Sequence, residues 1–311
     1  MEEKSRLQHK KILITGGTGF IGSHLARLLS PTNEVWVAGR SGEQPNSAVQ
    51  FFKGDIREQV FFEFVRNENF DVIFHLAGNA NQAKSLEDPR YDLEHNLLAT
   101  FNLLEVLRQL QKPPRLINAS SVTVYGDNDD AVLNEDTSVL LPIVNYGASK
   151  LAAERYLYAY ARQYGLPAIT LRLFSTYGPG LRRQMVYDFI RKLSVNQDRL
   201  EIIGTGNEAR DLTFIVDQVS NIVRVAEQAD FKGEAYNLAS GSLYSTRQVA
   251  ESVARALGLT PEFIYTEKAR VFDAPSWLAD VNKIKKFGAS TPTKLDHGVE
   301  QTVRWFKNVG S

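Results

Sequence analysis

Short apolar segments alternate with longer amphipathic ones along the first 174 residues. The short segments are rich in β-branched residues and predict buried strands: Ile12–Thr15, Glu34–Gly39, Val49–Asp55, Asp71–Gly78, Arg115–Ser121 and Pro167–Phe174. Apolar residues at helical spacing predict helices near 20–30, near 57–68, inside 88–111 and over Ala148–Tyr164. This alternation is typical of an α/β protein with a doubly wound parallel sheet.

The alternation becomes less regular after Phe174. Inserted helices and loops are predicted near 176–210 and 238–280, and helical patterns return at Phe214–Gln228 and in the tail at 295–308. We therefore predict two units, the second smaller and discontinuous: a sheet domain over 9–174 plus about 211–237, and a C-terminal lobe over 175–210 and 238–311.

Composition excludes several function classes. Lys plus Arg and Asp plus Glu both number 36, so the formal net charge is +0 and gives no global attraction for nucleic acid or anionic lipid. The absence of cysteine excludes disulfides, thiolate catalysis and zinc–thiolate sites. The histidines show no metal-ligand spacing, and we expect His75 to be structural. A charged N-terminal stretch and the lack of a membrane-spanning apolar run predict a cytoplasmic protein.

Three glycines follow the first predicted strand at three-residue intervals: Gly16, Gly19 and Gly22. A glycine-rich turn from a strand into a helix lets an anion approach backbone N–H groups and the positive end of the helix dipole. Taken alone, the pattern also fits an ordinary strand–turn–helix connection.

Tyr146 and Lys150 are four residues apart at the start of a predicted helix, which places both side chains on one face. A neighbouring ammonium favours the phenolate, so such a pair can act as an acid or a base near neutral pH. Taken alone, the spacing favours an incidental pair on a capped surface helix. The hydroxyls of Ser120, Ser121 and Thr123 follow a predicted strand, where ligands bind in this type of sheet.

Together these motifs resemble the extended short-chain dehydrogenase/reductase family, and within it the nucleotide-sugar epimerases, dehydratases and ketoreductases. The matching segments run in order along nearly the whole chain: GGTGFIG at 16–22, GDI at 54–56, HLAG at 75–78, SSVTVYG at 120–126, YGASK at 146–150, LRLFSTYGPG at 171–180, RDLTFIVD at 210–217, and the spaced Arg270 and Asp273. The resemblance implies a dinucleotide-binding Rossmann domain, a substrate-binding lobe and a nucleoside-diphosphate sugar as substrate.

The resemblance also implies site residues, matched by position. The catalytic residues would be Ser121, Tyr146 and Lys150, with Ser120 or Thr123 as alternatives for the serine. The cofactor residues would be Gly16, Gly19, Phe20, Ile21, Gly22, Arg40, Asp55, Ile56, Leu76, Ala77, Gly78, Ser120, Tyr146 and Lys150. The substrate residues would be Ser121, Thr123, Ser175, Arg210, Arg270 and Asp273, with the two arginines on the diphosphate. Two positions depart from the family pattern: Ser175, where asparagine is frequent, and Phe272, where glycine is common.

The end of the second predicted strand bears on the choice of cofactor. Gly39 occupies the position of the acidic residue that binds the ribose 2′-hydroxyl of NAD, and Arg40 and Ser41 follow. Arg40 is suited to a 2′-phosphate, so NADP(H) is favoured. If Arg40 is only a solvated loop residue, NAD(H) is the alternative.

Three functions are considered, with a 4-epimerase placed first. Val122 and Thr123 follow Ser121 where family dehydratases carry acidic residues, so 4,6-dehydration is disfavoured. The serine motif favours a 4-epimerase, which moves hydride at a sugar carbon, most simply C4. The NADP(H) prediction favours a nucleotide-4-keto-sugar reductase. A non-catalytic NADP-binding regulator would have little reason to keep all three catalytic residues.

Two predicted helices have apolar surfaces that are broad enough to be buried on a second face. Their apolar residues are Leu93, Leu97, Leu98, Phe101, Leu104 and Leu107 inside 88–111, and Leu151, Tyr156, Leu157 and Tyr160 inside 148–164. In the resembling family, such helices pair across a two-fold axis. We therefore expect a homodimer, with deep burial inside one subunit as the alternative.

Overall fold

A computed structural model describes residues 7–40, 44, 46–128, 130–266, 276–289 and 291–309. Its strands are β1 (Lys11–Thr15), β2 (Glu34–Gly39), β3 (Val49–Lys53), β4 (Val72–His75), β5 (Arg115–Ser121), β6 (Ala168–Leu173), β7 (Ser175–Tyr177), β8 (Arg199–Ile202), β9 (Ala209–Phe214), β10 (Lys232–Leu238), β11 (Leu243–Ser245), β12 (Glu262–Tyr265) and β13 (Ser276–Trp277). Its α-helices are α1 (Phe20–Leu29), α2 (Gln59–Asn67), α3 (Gln82–Glu87), α4 (Pro89–Asp92), α5 (Ala99–Leu107), α6 (Asn145–Tyr164), α7 (Gln184–Val195), α8 (Ile215–Gln228), α9 (Thr246–Leu257), α10 (Asn282–Lys285) and α11 (Leu295–Asn308).

Seven of these strands form a parallel central sheet in the order β10-β6-β5-β4-β1-β2-β3. The chain builds outwards from β1 to β3 on one side, and from β4 to β10 on the other. The direction of winding therefore changes between β1 and β4, where ligands bind in sheets of this kind. The predicted doubly wound α/β fold is confirmed.

Both faces of the central sheet are covered, which explains the continuous apolar strands. Ile12 and Ile14 pack into one core layer, whereas the intervening Leu13 packs into the other. All three side chains are fully buried. A strand buried on both faces has no need of alternating polar residues.

The second lobe is built from several stretches of chain. β9 pairs with β7, β11 and β13, and β8 pairs with β12. Helices α7, α9 and α11 pack against one another beside these small sheets. The chain returns to the central sheet at β10. The residue boundaries proposed for the two units stay a prediction.

The predicted helix inside 88–111 is interrupted. α4 continues into a π-helical segment, Leu93–Leu98, before α5 begins. A π turn adds one residue to the helical repeat, and apolar periodicity does not reveal it. The helix expected from Ala148 instead begins at Asn145, so Tyr146 lies in its first turn.

The loop between β5 and α6 is tied to the C-terminal part of the chain. The backbone N–H of Leu133 donates to the carbonyl of Leu278, and that of Asp280 donates to the carbonyl of Leu133, each at 2.8 Å. The side-chain amide of Asn134 adds a bond to the Asp280 carboxylate at 2.9 Å. We call these contacts the Leu133–Asp280 bridge.

Candidate active site

A cleft of about 1280 Å³ opens where the central strands end. Its lining contains every described residue that the sequence assigned to the site: Gly16, Gly19, Phe20, Ile21, Gly22, Arg40, Asp55, Ile56, Leu76, Ala77, Gly78, Ser120, Ser121, Thr123, Tyr146, Lys150, Ser175 and Arg210. Four residues that the sequence singled out lie outside the described residues: Ser41, Arg270, Phe272 and Asp273. Residues distant in sequence thus share one cavity.

The glycine loop between β1 and α1 fits an anionic group. Gly16 has a φ of +69°, and a Cβ there would lie 2.9 Å from the backbone nitrogen of Ala77. A Cβ at Gly22 would collide with the carbonyl oxygen of Gly16, so Gly22 lets the helix pack on the loop. Gly19 caps α1 without a side-chain hydrogen bond. The first N–H groups of the helix are therefore suited to the phosphates of a dinucleotide.

A chain of hydrogen bonds through His75 fixes the end of β4. The Thr15 hydroxyl lies 2.9 Å from Nδ1 of His75, and Nε2 lies 3.2 Å from the Thr100 hydroxyl. The Thr100 hydroxyl donates to the Asn96 carbonyl at 2.6 Å, and Thr15 accepts the N–H of Ala77 at 3.2 Å. Burial lowers the pKa of His75 to about 3. A buried imidazole with both nitrogens engaged is consistent with the expected structural role, which stays a prediction.

Asn96 lies in the π-helical segment and joins the strand-end loop to the catalytic helix. Its Oδ1 accepts the N–H of Asn79 at 2.8 Å, and its Nδ2 donates to Asp92 at 3.2 Å and to Ser149 at 3.1 Å. A Cβ at Gly78 would lie only 2.5 Å from Asn96 Oδ1. This cluster was not predicted from the sequence. The available signal was the spacing of two polar residues, Asp92 and Asn96, four apart in one helical stretch.

The serine turn, residues 121–124, presents two hydroxyl groups. The Ser121 oxygen accepts the backbone N–H of Thr123 at 3.2 Å and its hydroxyl at 3.0 Å. Ser121 thereby caps the 3₁₀ turn Val122–Val124. Ser120 also lines the cleft, and its buried oxygen has no hydrogen-bond partner within the described residues.

Tyr146 lies in the first turn of α6 and forms a side-chain hydrogen bond with Ser121. Burial raises its pKa, the bond to Ser121 offsets part of that rise, and the Asp92 carboxylate adds to it. The expected lowering by Lys150 is therefore not observed in the protein alone. The ammonium lies 6.0 Å from the centre of the tyrosine ring, and desolvation of the phenolate is the larger effect.

Lys150 is buried one turn further along α6. Its ammonium donates to the carbonyl of Ala119 at 3.0 Å. Burial lowers its pKa to about 8, although the carboxylates of Asp92 and Glu154 oppose this. The nitrogen would lie 3.4 Å from a Cβ at Gly78, so this glycine keeps the approach to the ammonium open.

Arg40 stands beside the end of β2, as the sequence predicted, with several partners. Its guanidinium lies 3.3 Å from Nε2 of His95 and donates to the Tyr91 hydroxyl at 3.2 Å. The Asp55 carboxylate lies 3.9 Å from it and is bound at 2.8 Å by Arg57. Arg57 therefore lowers the pKa of Asp55 and holds its charge near the cleft wall.

Arg210 lines the opposite end of the cleft from β9. Its guanidinium lies 5.4 Å from the centre of the Trp277 ring. The neighbouring Asp211 points away and accepts N–H groups from Ser240 and Gly241, each at 2.9 Å. These bonds fix β9 and therefore the base of the Arg210 side chain.

Arg183 also lines the cleft and was not predicted. It donates to the carbonyl of Ala80 at 3.3 Å, and its charge lowers the pKa of Tyr146 in part. The available signal was a pair of arginines, Arg182 and Arg183, directly after a glycine-containing loop.

A model of the NAD dependent epimerase/dehydratase family matches residues 12–239, which include the glycine loop, the serine turn and the catalytic helix. The chain belongs to this family. It is accordingly an NAD(P)-dependent enzyme of the extended short-chain dehydrogenase/reductase type, as the motifs predicted.

Similar proteins of this epimerase/dehydratase family cover nearly the whole chain. A putative UDP-glucose 4-epimerase of Methanocaldococcus jannaschii is 29% identical over 96% of this chain and 98% of its own length. The UDP-glucuronic acid 4-epimerase of Bacillus cereus, solved with UDP-glucuronic acid and NAD, is 26% identical and has a TM-score of 0.87 over 96% of this chain and 100% of that one. The UDP-glucose 4-epimerase of Thermotoga maritima, solved with UDP-glucose, is 27% identical and also has a TM-score of 0.87, over 96% and 99%.

The described ranges hold neither a membrane-spanning helix nor a metal-binding cluster. None of the helices there is both long and apolar enough to cross a bilayer. The same residues contain no group of three or more His, Asp or Glu side chains arranged to hold a metal ion.

Proposed function

We propose that this family member is a nucleotide-sugar 4-epimerase. The observation that carries the proposal is the meeting of Ser121, Tyr146 and Lys150 in one cleft beside a glycine loop suited to a dinucleotide. A bound nicotinamide ring would take a hydride from the sugar carbon and return it to the opposite face. The hydroxyl proton leaves and returns with it, so the reaction has no net redox change.

The chain supplies the proton chemistry. Tyr146 takes the proton of the sugar hydroxyl and gives it back, while Ser121 hydrogen-bonds the same oxygen. A positive charge near the phenol is needed to lower its raised pKa for this task. Arg183 provides one such charge, and an oxidised nicotinamide would add a second when bound beside Lys150.

The cofactor residues fit NAD(P)(H), and Arg40 bears on which form binds. β2 ends at position 39 in a glycine rather than a carboxylate, and Arg40 lies at the cleft wall, which supports NADP(H). The B. cereus relative was solved with NAD. The Asp55 carboxylate near Arg40 is a repulsive neighbour for a 2′-phosphate, so affinity for the two forms must be measured side by side.

A nucleoside-diphosphate sugar is the proposed substrate. Arg210 lines the cleft, and we assign it to the diphosphate. From the sequence motif alone we assign Arg270 to the same group, and Thr123, Ser175 and Asp273 to sugar or ribose hydroxyls. Both solved relatives described above hold UDP-sugars.

A panel of UDP-, GDP-, CDP- and dTDP-sugars with NAD or NADPH tests the function. We expect a 4-epimer to accumulate to an equilibrium mixture without net consumption of cofactor, as seen by chromatography and mass spectrometry. Stoichiometric oxidation of NADPH with a 4-keto sugar would instead identify a reductase, which the Arg40 position favours as second candidate. Tight cofactor binding without turnover of any sugar would identify a regulator.

We also propose a homodimer formed by α6 and the helical stretch that contains α5. Leu93 and Leu98 are 46% and 43% exposed, and Tyr156 on α6 is 46% exposed. Phe101 contacts Tyr156 edge-to-face between the two helices. These side chains form an apolar surface that a second copy of the chain would cover.

A further inference from the structure

Tyr125 is fully buried just after the serine turn, and its hydroxyl joins two distant parts of the fold. The hydroxyl donates to Oδ1 of Asn237 at 2.7 Å and accepts a hydrogen bond from Arg172 at 3.0 Å. The guanidinium of Arg172 also lies 4.9 Å from the centre of the Tyr125 ring. The position of Tyr125 is thus set by strands β6 and β10.

Arg172 connects the same hydroxyl to the catalytic helix. Its guanidinium binds the Glu154 carboxylate at 2.9 Å, and the two side chains are only 3% and 5% exposed. Glu154 lies one turn beyond Lys150 on α6. Because both charges are out of water, their attraction is strong and depends closely on geometry.

Asn237 connects the hydroxyl to the loop between the serine turn and α6. Its Nδ2 donates to the carbonyl of Leu133 at 2.9 Å, and its backbone N–H donates to the carboxylate of Glu135 at 2.8 Å. Leu133 also forms the Leu133–Asp280 bridge. The loop that separates Ser121 from Tyr146 is therefore held in its middle.

We propose that Tyr125 and Arg172 are positioning residues that hold the serine turn against the catalytic helix. A proton passes efficiently only across a hydrogen bond of about 3 Å, so the distance between the Ser121 and Tyr146 oxygens must be kept. The two residues lie outside the cleft lining and act through the residues that line it. Only the expected effect on kcat rests on the proposed function.

The kinetic test compares two substitutions that each remove the phenol oxygen of a buried tyrosine. Tyr125→Phe removes the shared hydroxyl and keeps the ring. Tyr236→Phe makes the same change in β10, next to Asn237 but outside the network. For Tyr125→Phe we expect kcat to fall at least tenfold, with KM and cofactor affinity within twofold and an unchanged circular dichroism spectrum. Tyr236→Phe is expected to keep the kcat of the unsubstituted protein.

A second measurement needs no substrate. In protein labelled at the tyrosine ring carbons, the resonance of Tyr146 is identified by its loss in Tyr146→Phe. Tyr125→Phe is expected to shift this resonance, and Tyr236→Phe is not. If the unsubstituted protein turned over no sugar, the proposed function would be contradicted. The resonance measurement would still test the positioning role, because it uses no substrate. The positioning role would be overturned if Tyr125→Phe left the Tyr146 resonance unmoved or left kcat unchanged. It would also be overturned if substrate binding and cofactor affinity weakened as much as kcat fell.

Discussion

The ammonium of Lys150 donates to the backbone carbonyl of Ala119 at 3.0 Å, from a position buried beneath the cleft. Burial lowers the pKa of this lysine from 10.5 to about 8. At pH 7 the Lys150 side chain is therefore still charged although it is buried. The cost of removing this charge from water lowers the stability of the folded protein.

The first prediction concerns pH. Between pH 8 and 10.5 the unfolded chain keeps the Lys150 proton and the folded chain loses it, so this group makes the protein more stable as pH rises. At pH 7 the burial of the charge costs about 3 kcal/mol at most. We expect Lys150→Met to unfold at an equal or higher temperature than the unsubstituted protein at pH 7, with turnover lost. Melting curves at pH 7 and 9 measure this, and a large loss of stability at pH 7 would contradict it.

Tyr146→Phe is expected to lower kcat by about 10²–10⁴-fold, because the substitution removes the group that moves the proton. Cofactor affinity should stay nearly unchanged. Tyr158→Phe serves as the control, since Tyr158 lies on the same helix and is 49% exposed. Near-normal turnover by Tyr146→Phe would mean that another residue carries the proton.

Arg210→Ala is expected to weaken nucleotide-sugar binding by about 1.5–3 kcal/mol, the contribution of hydrogen bonds to a charged group. Cofactor binding should change much less. Calorimetry with both ligands distinguishes the two effects, and we expect the same of Arg270→Ala. Arg199→Ala, at an exposed ion pair with Glu262, is the control. Equal loss of both ligands would point to misfolding rather than to a diphosphate contact.

Arg40→Asp is expected to reduce affinity for NADP(H) more than for NAD(H), because a carboxylate repels the 2′-phosphate and accepts a bond from the 2′-hydroxyl. Dissociation constants for both cofactors, by fluorescence titration, give the ratio. Arg27→Asp reverses the same charge on the exposed side of α1 and should leave the ratio unchanged. If Arg40→Asp leaves NADP(H) affinity intact, the assignment of Arg40 is wrong.

The proposed dimer predicts a dimer mass by light scattering across a low-micromolar dilution series. Leu98→Asp places a charge in the exposed apolar surface and should give a monomer with an unchanged circular dichroism spectrum. Leu28→Asp is the matched control, because Leu28 on α1 is 46% exposed outside that surface. A monomer mass for the unsubstituted chain at every concentration would remove the proposal.

Six of the seven central strands, β1 to β6, and most of the longer helices were predictable, because a parallel sheet buried on both faces requires continuous apolar segments. The edge strand β10 and the short strands of the second lobe were not predicted. Glu34–Gly39 and Arg115–Ser121 were predicted with the bounds that the structure has. The glycine loop and the pairing of Tyr146 with Lys150 followed from local motifs with a chemical reason. The choice of Ser121 among three neighbouring hydroxyls came from the family resemblance, and the catalytic roles stay predictions.

What the sequence did not predict depends on contacts between distant residues. The raised pKa of Tyr146 reflects its burial in the folded chain, which the spacing of residues within one helix does not reveal. The π-helical segment turns Asn96 towards Asn79, and a regular 3.6-residue pattern gives no indication of this. Arg183 reaches the site only because a loop of the second lobe folds over the first.

The Leu133–Asp280 bridge limits how freely the C-terminal lobe could be exchanged for that of a related protein. An engineered chimaera that took its C-terminal lobe from a relative, to acquire a different sugar preference, would replace the strand of chain that pairs with Leu133. The loop leading into the catalytic helix would then lose its partner although no catalytic residue had changed. A graft that carries the loop residues around Leu133 together with the new lobe avoids this mismatch.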